Sequence, residues 1–246
     1  SLGAGYDLVR TPTNTAGVYY EFDASLFNKI SSFNRYDQRL SLIGRHRFNS
    51  RFTANMDIIN SYRIIGGDSL SYGLALTPSL DWRLTDWAVL RVPYSFSLSE
   101  NFLEVAPALN RDGQSQRFGA SLFLRCPVHK ISARVGYSHT LNKTDGSDYD
   151  YDSNSMLVGF NFQLPYKTTL DIVYMRIFER YDNLNSFSQL TTKREDDIDL
   201  VRVELNKTLN RKWSIQARYD FVGDGSNIPT FQYDRNVLTA GIILRY

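Results

Sequence analysis

Apolar and polar residues alternate with a period of two along almost the whole of this 246-residue chain, and that period restricts it to β-strands with two unlike faces. Phe118, Ala120, Leu122 and Leu124 hold one parity, against Arg117, Gly119, Ser121 and Arg125. Ile131, Ala133, Val135 and Tyr137 stand against Ser132, Arg134, Gly136 and Ser138, and Trp213, Ile215, Ala217, Tyr219 and Phe221 against Ser214, Gln216, Arg218 and Asp220. No run approaches the roughly eighteen apolar residues of a membrane-crossing helix, which excludes helical spanning. Alternation alone fits both a soluble sandwich and a membrane sheet, so segment lengths and connections have to separate them.

The alternating segments run to roughly ten to fourteen residues, longer than ordinary soluble strands and close to what a tilted strand needs to cross a bilayer. Their connections are of two kinds in strict alternation. Tight turns fall at Asn49-Ser50, Thr85-Asp86, Pro127-Val128-His129, Pro165-Tyr166 and Asn210-Arg211. Longer polar stretches fall between them, at Arg63 to Ser69, Glu100 to Ser115, Asn142 to Asn154, Tyr181 to Glu195 and Gly223 to Gln232. Short turns on one side and long loops on the other are the habit of transmembrane barrels, and a sandwich has no reason to sort loops by length. Counted back from the C-terminus, strands fall near 233–246, 212–223, 195–208, 167–180, 154–164, 130–141, 116–126, 87–99, 70–84, 51–62, 36–48 and 17–28. The segment Leu2 to Val9 also alternates. Residues 1–16 are then either an N-terminal arm or an extra strand, and the count is twelve or fourteen, since single-chain bacterial barrels normally have an even number. With no linker and no repeat beyond the hairpin period, residues 1–246 read as one domain.

The closing octet, Thr239-Ala240-Gly241-Ile242-Ile243-Leu244-Arg245-Tyr246, resembles the C-terminal assembly signal of bacterial outer-membrane β-barrels, with Gly241, Leu244 and Tyr246 at its characteristic positions. That family usually ends in Phe, where this chain has Tyr246. Read alone, the octet also fits the buried last strand of a soluble sandwich; the sorted loop lengths decide for the signal and put Tyr246 at the periplasmic rim. The resemblance implies an all-β, transmembrane, antiparallel up-and-down barrel in a bacterial outer membrane, in contact with lipid and lipopolysaccharide and inserted by the barrel-assembly machinery. A shorter stretch, Ser226-Asn227-Ile228-Pro229 through Tyr233-Asp234-Arg235-Asn236-Val237, resembles the ends of barrels found with exopolysaccharide and surface-export systems, which implies a conduit and, with it, a periplasmic or surface partner protein.

Composition agrees. Sixteen Tyr and 15 Phe accompany only 3 Met, and the mean hydropathy is −0.34, as expected when one strand face meets lipid, the other water, and aromatic girdles mark the interfaces. The net charge of +2, with both signs mixed along the chain, argues against nucleic acid as the partner. The single Cys126 allows no intrachain disulfide and no zinc or redox pair. Pro78 and Pro93 fall within neighbouring strands, where each removes a ladder donor.

Placing the apolar parity outward leaves an inward set rich in arginine: Arg39, Arg45, Arg47, Arg83, Arg91, Arg117, Arg125, Arg134, Arg202, Arg218 and Arg245, against Asp7, Glu21, Asp23, Asp57, Asp81, Glu204 and Asp220. Such a set would dominate a pore's field and grip carboxylate or phosphate; alternatively, arginines and acids pair across the lumen and fill it. Catalysis is not expected. Of the three histidines, His46 and His139 have outward parity and His129 sits in a turn, so none is placed to activate a nucleophile. No metal-ligand or cofactor motif is present, and the acidic runs Asp145, Asp148, Asp150, Asp152 and Glu195-Asp196-Asp197 lack the spacing of a calcium loop and read as solvated loop charge. The expectation is a channel or export conduit for anionic solutes or polysaccharide, or, alternatively, a non-conducting barrel that anchors or sheathes a partner.

Overall fold

The computed structural model describes residues 2–26, 31–102, 106–189 and 191–244. It contains a thirteen-stranded up-and-down sheet in which each strand lies beside its neighbours in sequence. The strands are β1 (Leu2–Arg10), β2 (Asn14–Ser25), β3 (Arg35–Arg47), β4 (Phe52–Ile65), β5 (Asp68–Arg83), β6 (Ala88–Asn101), β7 (Gly113–Cys126), β8 (Ile131–Thr144), β9 (Tyr151–Leu164), β10 (Thr168–Leu184), β11 (Lys193–Thr208), β12 (Trp213–Ser226) and β13 (Tyr233–Leu244). The leading segment is thus a strand, paired antiparallel with β2 from Leu2 opposite Phe22 to Arg10 opposite Thr15. Arg245 and Tyr246 lie outside the described residues; Gly241 and Leu244 sit in β13, opposite Gln216 and Trp213 of β12.

The tight turns stand where the sequence places them, but several loops are shorter than the polar stretches suggested, because strands continue into them. The stretch Arg63 to Ser69 is no long loop: β4 and β5 are joined by Gly66-Gly67 alone, both with positive φ (65° and 100°), the backbone that two-residue hairpins require. Glu195-Asp196-Asp197 lies inside β11, opposite Arg180, Glu179 and Phe178 of β10. Nor are the acidic runs uniformly solvated. Asp148 is 3% exposed and Asp196 0% exposed, while Asp150 accepts a hydrogen bond from the Thr144 amide at 2.6 Å.

The chain divides into two compact units. The first comprises residues 1–82, 92–118 and 140–151, the second residues 83–91, 119–139 and 152–246. In the first unit, the register of β3, β4 and β5 puts Arg45, Asn55 and Ser79 in one row and Ile43, Asp57 and Thr77 in the next. The opposite face carries Leu42, Ile58 and Leu76, then Gly44, Met56 and Pro78. In the second unit, β10 to β12 put Asp171, Glu204 and Arg218 on one face and Leu170, Leu205 and Ala217 on the other. Each unit therefore has one charged and one apolar face. Neither has a conventional apolar core. Among the described residues only Ala88, Tyr181, Val222 and Ile228 are buried hydrophobics, whereas Leu40, Leu42, Leu80, Trp82, Val158, Phe160, Leu205, Ile215 and Tyr219 stand exposed. Scattered exposed hydrophobics are normal, but a continuous exposed apolar face is not, and calls for an apolar surrounding.

Small residues fit the aromatic ones into the faces. Tyr19 of β2 lies across Gly5 and Gly17, where an added Cβ would come within 2.5 and 3.0 Å of its ring, and its hydroxyl donates to Asp7 Oδ1 at 3.4 Å. At Gly66 an added Cβ would stand 2.7 Å from the Ser32 carbonyl oxygen. We therefore expect Gly66→Ala to lower the urea midpoint by an amount equivalent to about 1–3 kcal/mol. Gly44→Ala, whose nearest new neighbour is the Met56 carbonyl at 3.8 Å, should change stability by less than about 0.5 kcal/mol.

Candidate functional site

On the charged face of the second unit, the register produces three successive rows across β10 to β13. The row nearest the tight turns carries Asp171, Glu204, Arg218 and Thr239; the next carries Val173, Arg202, Asp220 and Val237; the third carries Met175, Leu200, Val222 and Arg235. Asp220 bridges two strands' arginines, with its Oδ1 2.6 Å from Arg202 Nε and its Oδ2 2.8 Å from Arg218 Nε. Glu204 accepts from Asn206 Nδ2 at 2.6 Å, and Asp171 from Asn161 Nδ2 at 2.6 Å. Above these rows opens a hollow of about 670 Å³ bordered by Arg134, Arg202, Arg218, Arg235 and Asp220 together with the apolar side chains of the second and third rows.

Of the sequence-predicted lining residues, the structure thus gathers Arg134, Arg202, Arg218 and Asp220 around one hollow, with Glu204 in the adjoining row. Arg91 and Arg134 both lie over the Phe123 ring, 5.4 and 5.2 Å from its centroid, and Arg134 Nη2 reaches Ser121 Oγ at 3.4 Å. Arg83 closes β5, and Arg125 lies near the end of β7, its amide bound to the Trp87 carbonyl at 2.8 Å. In the first unit, Arg39 is 3.8 Å from Glu21, Arg117 donates to Thr140 Oγ1 at 3.0 Å, and Arg45 stands opposite Asn55. Two participants escaped the sequence reading. Arg235 shares the parity of Val237 and Thr239 and was legible from it; Phe123 is an apolar residue on the polar parity, which alternation alone does not single out.

Beyond the third row, on the side of the longer loops, the two faces exchange character. The formerly apolar face becomes charged: Arg176 lies 3.7 Å from Asp197 and 4.0 Å from Asp199, and Arg180 lies 3.4 Å from Glu195 and 3.0 Å from Asp197. Tyr174 stands at the junction, its hydroxyl donating to Asp199 at 2.6 Å. The formerly charged face becomes apolar and then closes in a buried polar knot. There the Arg194 guanidinium pairs with Asp196 and stacks on Tyr181 and Phe231, 4.7 and 3.6 Å from their centroids. Tyr181 donates to Glu179 Oε2 at 3.1 Å, and the two flanking loops join in through the Phe187–Phe231 edge contact at 5.4 Å. Asn227 ties the same corner by accepting from the Glu195 amide at 2.8 Å and donating to the Lys193 carbonyl at 2.9 Å.

The knot holds three carboxylates, Glu179, Asp196 and Asp224, against one guanidinium, and the buried Asp224 Oδ1 has no hydrogen-bond partner among the described residues. Among the described residues no group of acidic or histidine side chains is arranged to hold a metal ion. Burial first, and then the Asp196 charge, push the Asp224 carboxyl up to about 6, against the pull of Arg194. Burial likewise raises Glu179, with Asp196 adding to the shift and the Tyr181 hydroxyl opposing it.

Comparison with known proteins adds little. No protein-family model and no curated protein matches the chain. Among solved structures, one similar chain belongs to work on the mechanism behind the in-meso crystallization of membrane proteins, with 15% identity, a TM-score of 0.47, and coverage of 95% of this chain and 83% of that one. Another is the translocator domain of the autotransporter NalP from Neisseria meningitidis, with 11% identity, a TM-score of 0.46, and coverage of 97% of this chain and 90% of that one. Similarity at this level assigns no residue a role. The all-β, antiparallel, up-and-down arrangement is itself the one that the outer-membrane barrel resemblance implies.

The knot has a pH signature of definite sign. A carboxyl whose folded pKa is raised contributes stability that is fully present below its unfolded value, 3.8 for Asp224, and lost as pH rises through about 6. Asp224→Asn should therefore be the more stable protein relative to wild type at pH 7, and that advantage should shrink as the pH is lowered through this window, as read from urea midpoints of the two proteins side by side. Arg194→Met, which strands the Asp196 carboxylate, is expected to cost about 3–5 kcal/mol.

Proposed function

We propose that this chain is a bacterial outer-membrane β-barrel that serves as a conduit with a preference for anions, its apolar face toward lipid and its charged face toward a water-filled interior. The observation that carries the reading is the segregation of the faces. Leu205, Ile215 and Tyr219 stand exposed on one, while the hollow lined by Arg134, Arg202, Arg218 and Arg235 opens on the other. A surface of the first kind requires hydrocarbon around it, and one of the second kind is satisfied by water and mobile ions. The charged bands above Tyr174 then lie at lipopolysaccharide level, and the knot lies outside the bilayer. The partners that follow are outer-membrane lipid and lipopolysaccharide, the barrel-assembly machinery acting on the β13 end, and a periplasmic or surface protein where the conduit serves export.

The anion preference is modest. Around the hollow and the row beside it, Arg134, Arg202, Arg218 and Arg235 face Asp171, Glu204 and Asp220, a balance of four positive charges to three negative. The tie of both Arg202 and Arg218 to Asp220 favours the second reading, a filled scaffold that anchors a partner and conducts nothing.

Planar-bilayer recording separates the two. The conduit predicts steady single-channel current whose reversal potential in a salt gradient favours anions, shifting toward cations in Arg134→Glu and Arg235→Glu. Absence of current at every voltage from protein that migrates as a compact, heat-modifiable band would leave the scaffold. As a check of orientation, Leu205→Arg should destabilise the protein in lipid vesicles by about 2–4 kcal/mol, whereas Gln216→Arg on the other face should be close to neutral.

A further inference from the structure

The third row of the charged face is not what a passage for hydrated ions or sugars calls for. Met175, Leu200 and Val222 stand side by side across β10, β11 and β12, and the row ends in Arg235 of β13. Two inter-strand steps of about 4.8 Å make this an apolar strip of roughly 10 Å, and a third step leads to the guanidinium at its end. The row below adds Val173 and Val237 on either side of the Arg202–Asp220 pair. Arg202 and Arg218 are held by Asp220, while Arg235, which borders the hollow, makes no ion pair among the described residues. Water gains nothing from the apolar strip, and a bare anion uses only the arginine. A molecule that combines the two features uses both.

We propose that this hollow binds an amphiphilic anion, a phosphate or carboxylate head on an unbranched alkyl tail, with the head at Arg235 and the tail running past Val222 along Leu200 and Met175. The proposal rests on the reading of the charged face as the water-facing side and names the class of solute that this face would recognise. The head receives charge-assisted hydrogen bonds from guanidinium groups. The tail removes apolar surface from water on both partners, so affinity should grow with each methylene that fits the strip.

The test is calorimetric titration of the full chain in lipid nanodiscs with octyl phosphate, inorganic phosphate and octanol, each corrected by titration into empty nanodiscs. Octyl phosphate should give saturable heat and bind on the order of a hundredfold more tightly than inorganic phosphate, the effect of a few buried methylenes, while octanol gives none. Leu200→Asn should bring octyl phosphate down toward the affinity of inorganic phosphate without weakening the latter, and Arg235→Gln should weaken both by about tenfold. Octyl phosphate binding no tighter than inorganic phosphate, or heat that does not saturate after correction and is unchanged in Arg235→Gln, overturns the amphiphile site. Single-channel recording on the same preparation keeps this outcome apart from failure of the conduit: anion current without saturable octyl phosphate binding sinks only the site, and binding without current sinks only the conduit.

Discussion

A peptide group placed in hydrocarbon must find its hydrogen-bond partners within the chain, because nothing around it supplies them. An unbroken antiparallel meander meets this demand wherever a strand has a neighbour on both sides. In β10 to β13, for example, pairing runs without interruption from Thr168 opposite Lys207 to Arg180 opposite Glu195, and from Trp213 opposite Leu244 to Asp224 opposite Tyr233. Once the ladder is fixed, the period of two follows, and with it two faces that need not resemble each other. Here they do not. The consequence is a protein with almost no buried hydrophobic residues in the described chain, whose apolar side chains are complemented by the medium rather than by one another.

On the proposed membrane reading, the exchange of faces beyond Tyr174 marks where the hydrocarbon ends. Were the whole height of β10 to β12 surrounded by lipid, Arg176, Arg180, Asp197 and Asp199 on the apolar side would each carry a large desolvation cost; in water, their ladder of contacts at 3.0 to 4.0 Å is an ordinary exposed network of small net worth. In the same region the opposite face acquires Met175, Ile177, Ile198 and Leu200 and then the Arg194 knot, as a soluble sheet acquires a core. The two faces thus exchange character without a break in pairing. The knot has a local task, since Arg194 sits between rings from β10 and from the segment before β13 and so ties both loops to the strand ends.

The sheet itself was legible because its cause, alternation, is local. The segment Leu2 to Val9 alternates and is a strand, which makes the count thirteen, and parity puts Arg202, Arg218 and Asp220 on one face. What was not legible depends on contacts distant in sequence. The stretch Arg63 to Ser69 looks like a polar loop because strand ends in water are polar too; only the register of Ile65 opposite Asp68 reveals a two-residue hairpin. Glu195-Asp196-Asp197 looks like solvated charge because three adjacent acids usually are. Asp196 is buried because Arg194, two residues before it, is itself caught between Tyr181 and Phe231, and no local pattern in the run records those rings.

The geometry of the sheet also decides which arginines are paired. Composition adds charges, whereas a sheet arranges them in rows, and within a row a carboxylate opposite a guanidinium neutralises it at close range. Asp220 stands beside both Arg202 and Arg218, and Glu204 stands opposite Arg218, so around the hollow the positive character that survives belongs to Arg235 and Arg134. Of these, Arg235 lies where the wall beside it turns apolar, opposite Val222. A face on which an unpaired guanidinium borders an apolar row presents charge joined to an apolar body, and that coincidence at Arg235, rather than the number of arginines, is the property of this face that sequence composition conceals.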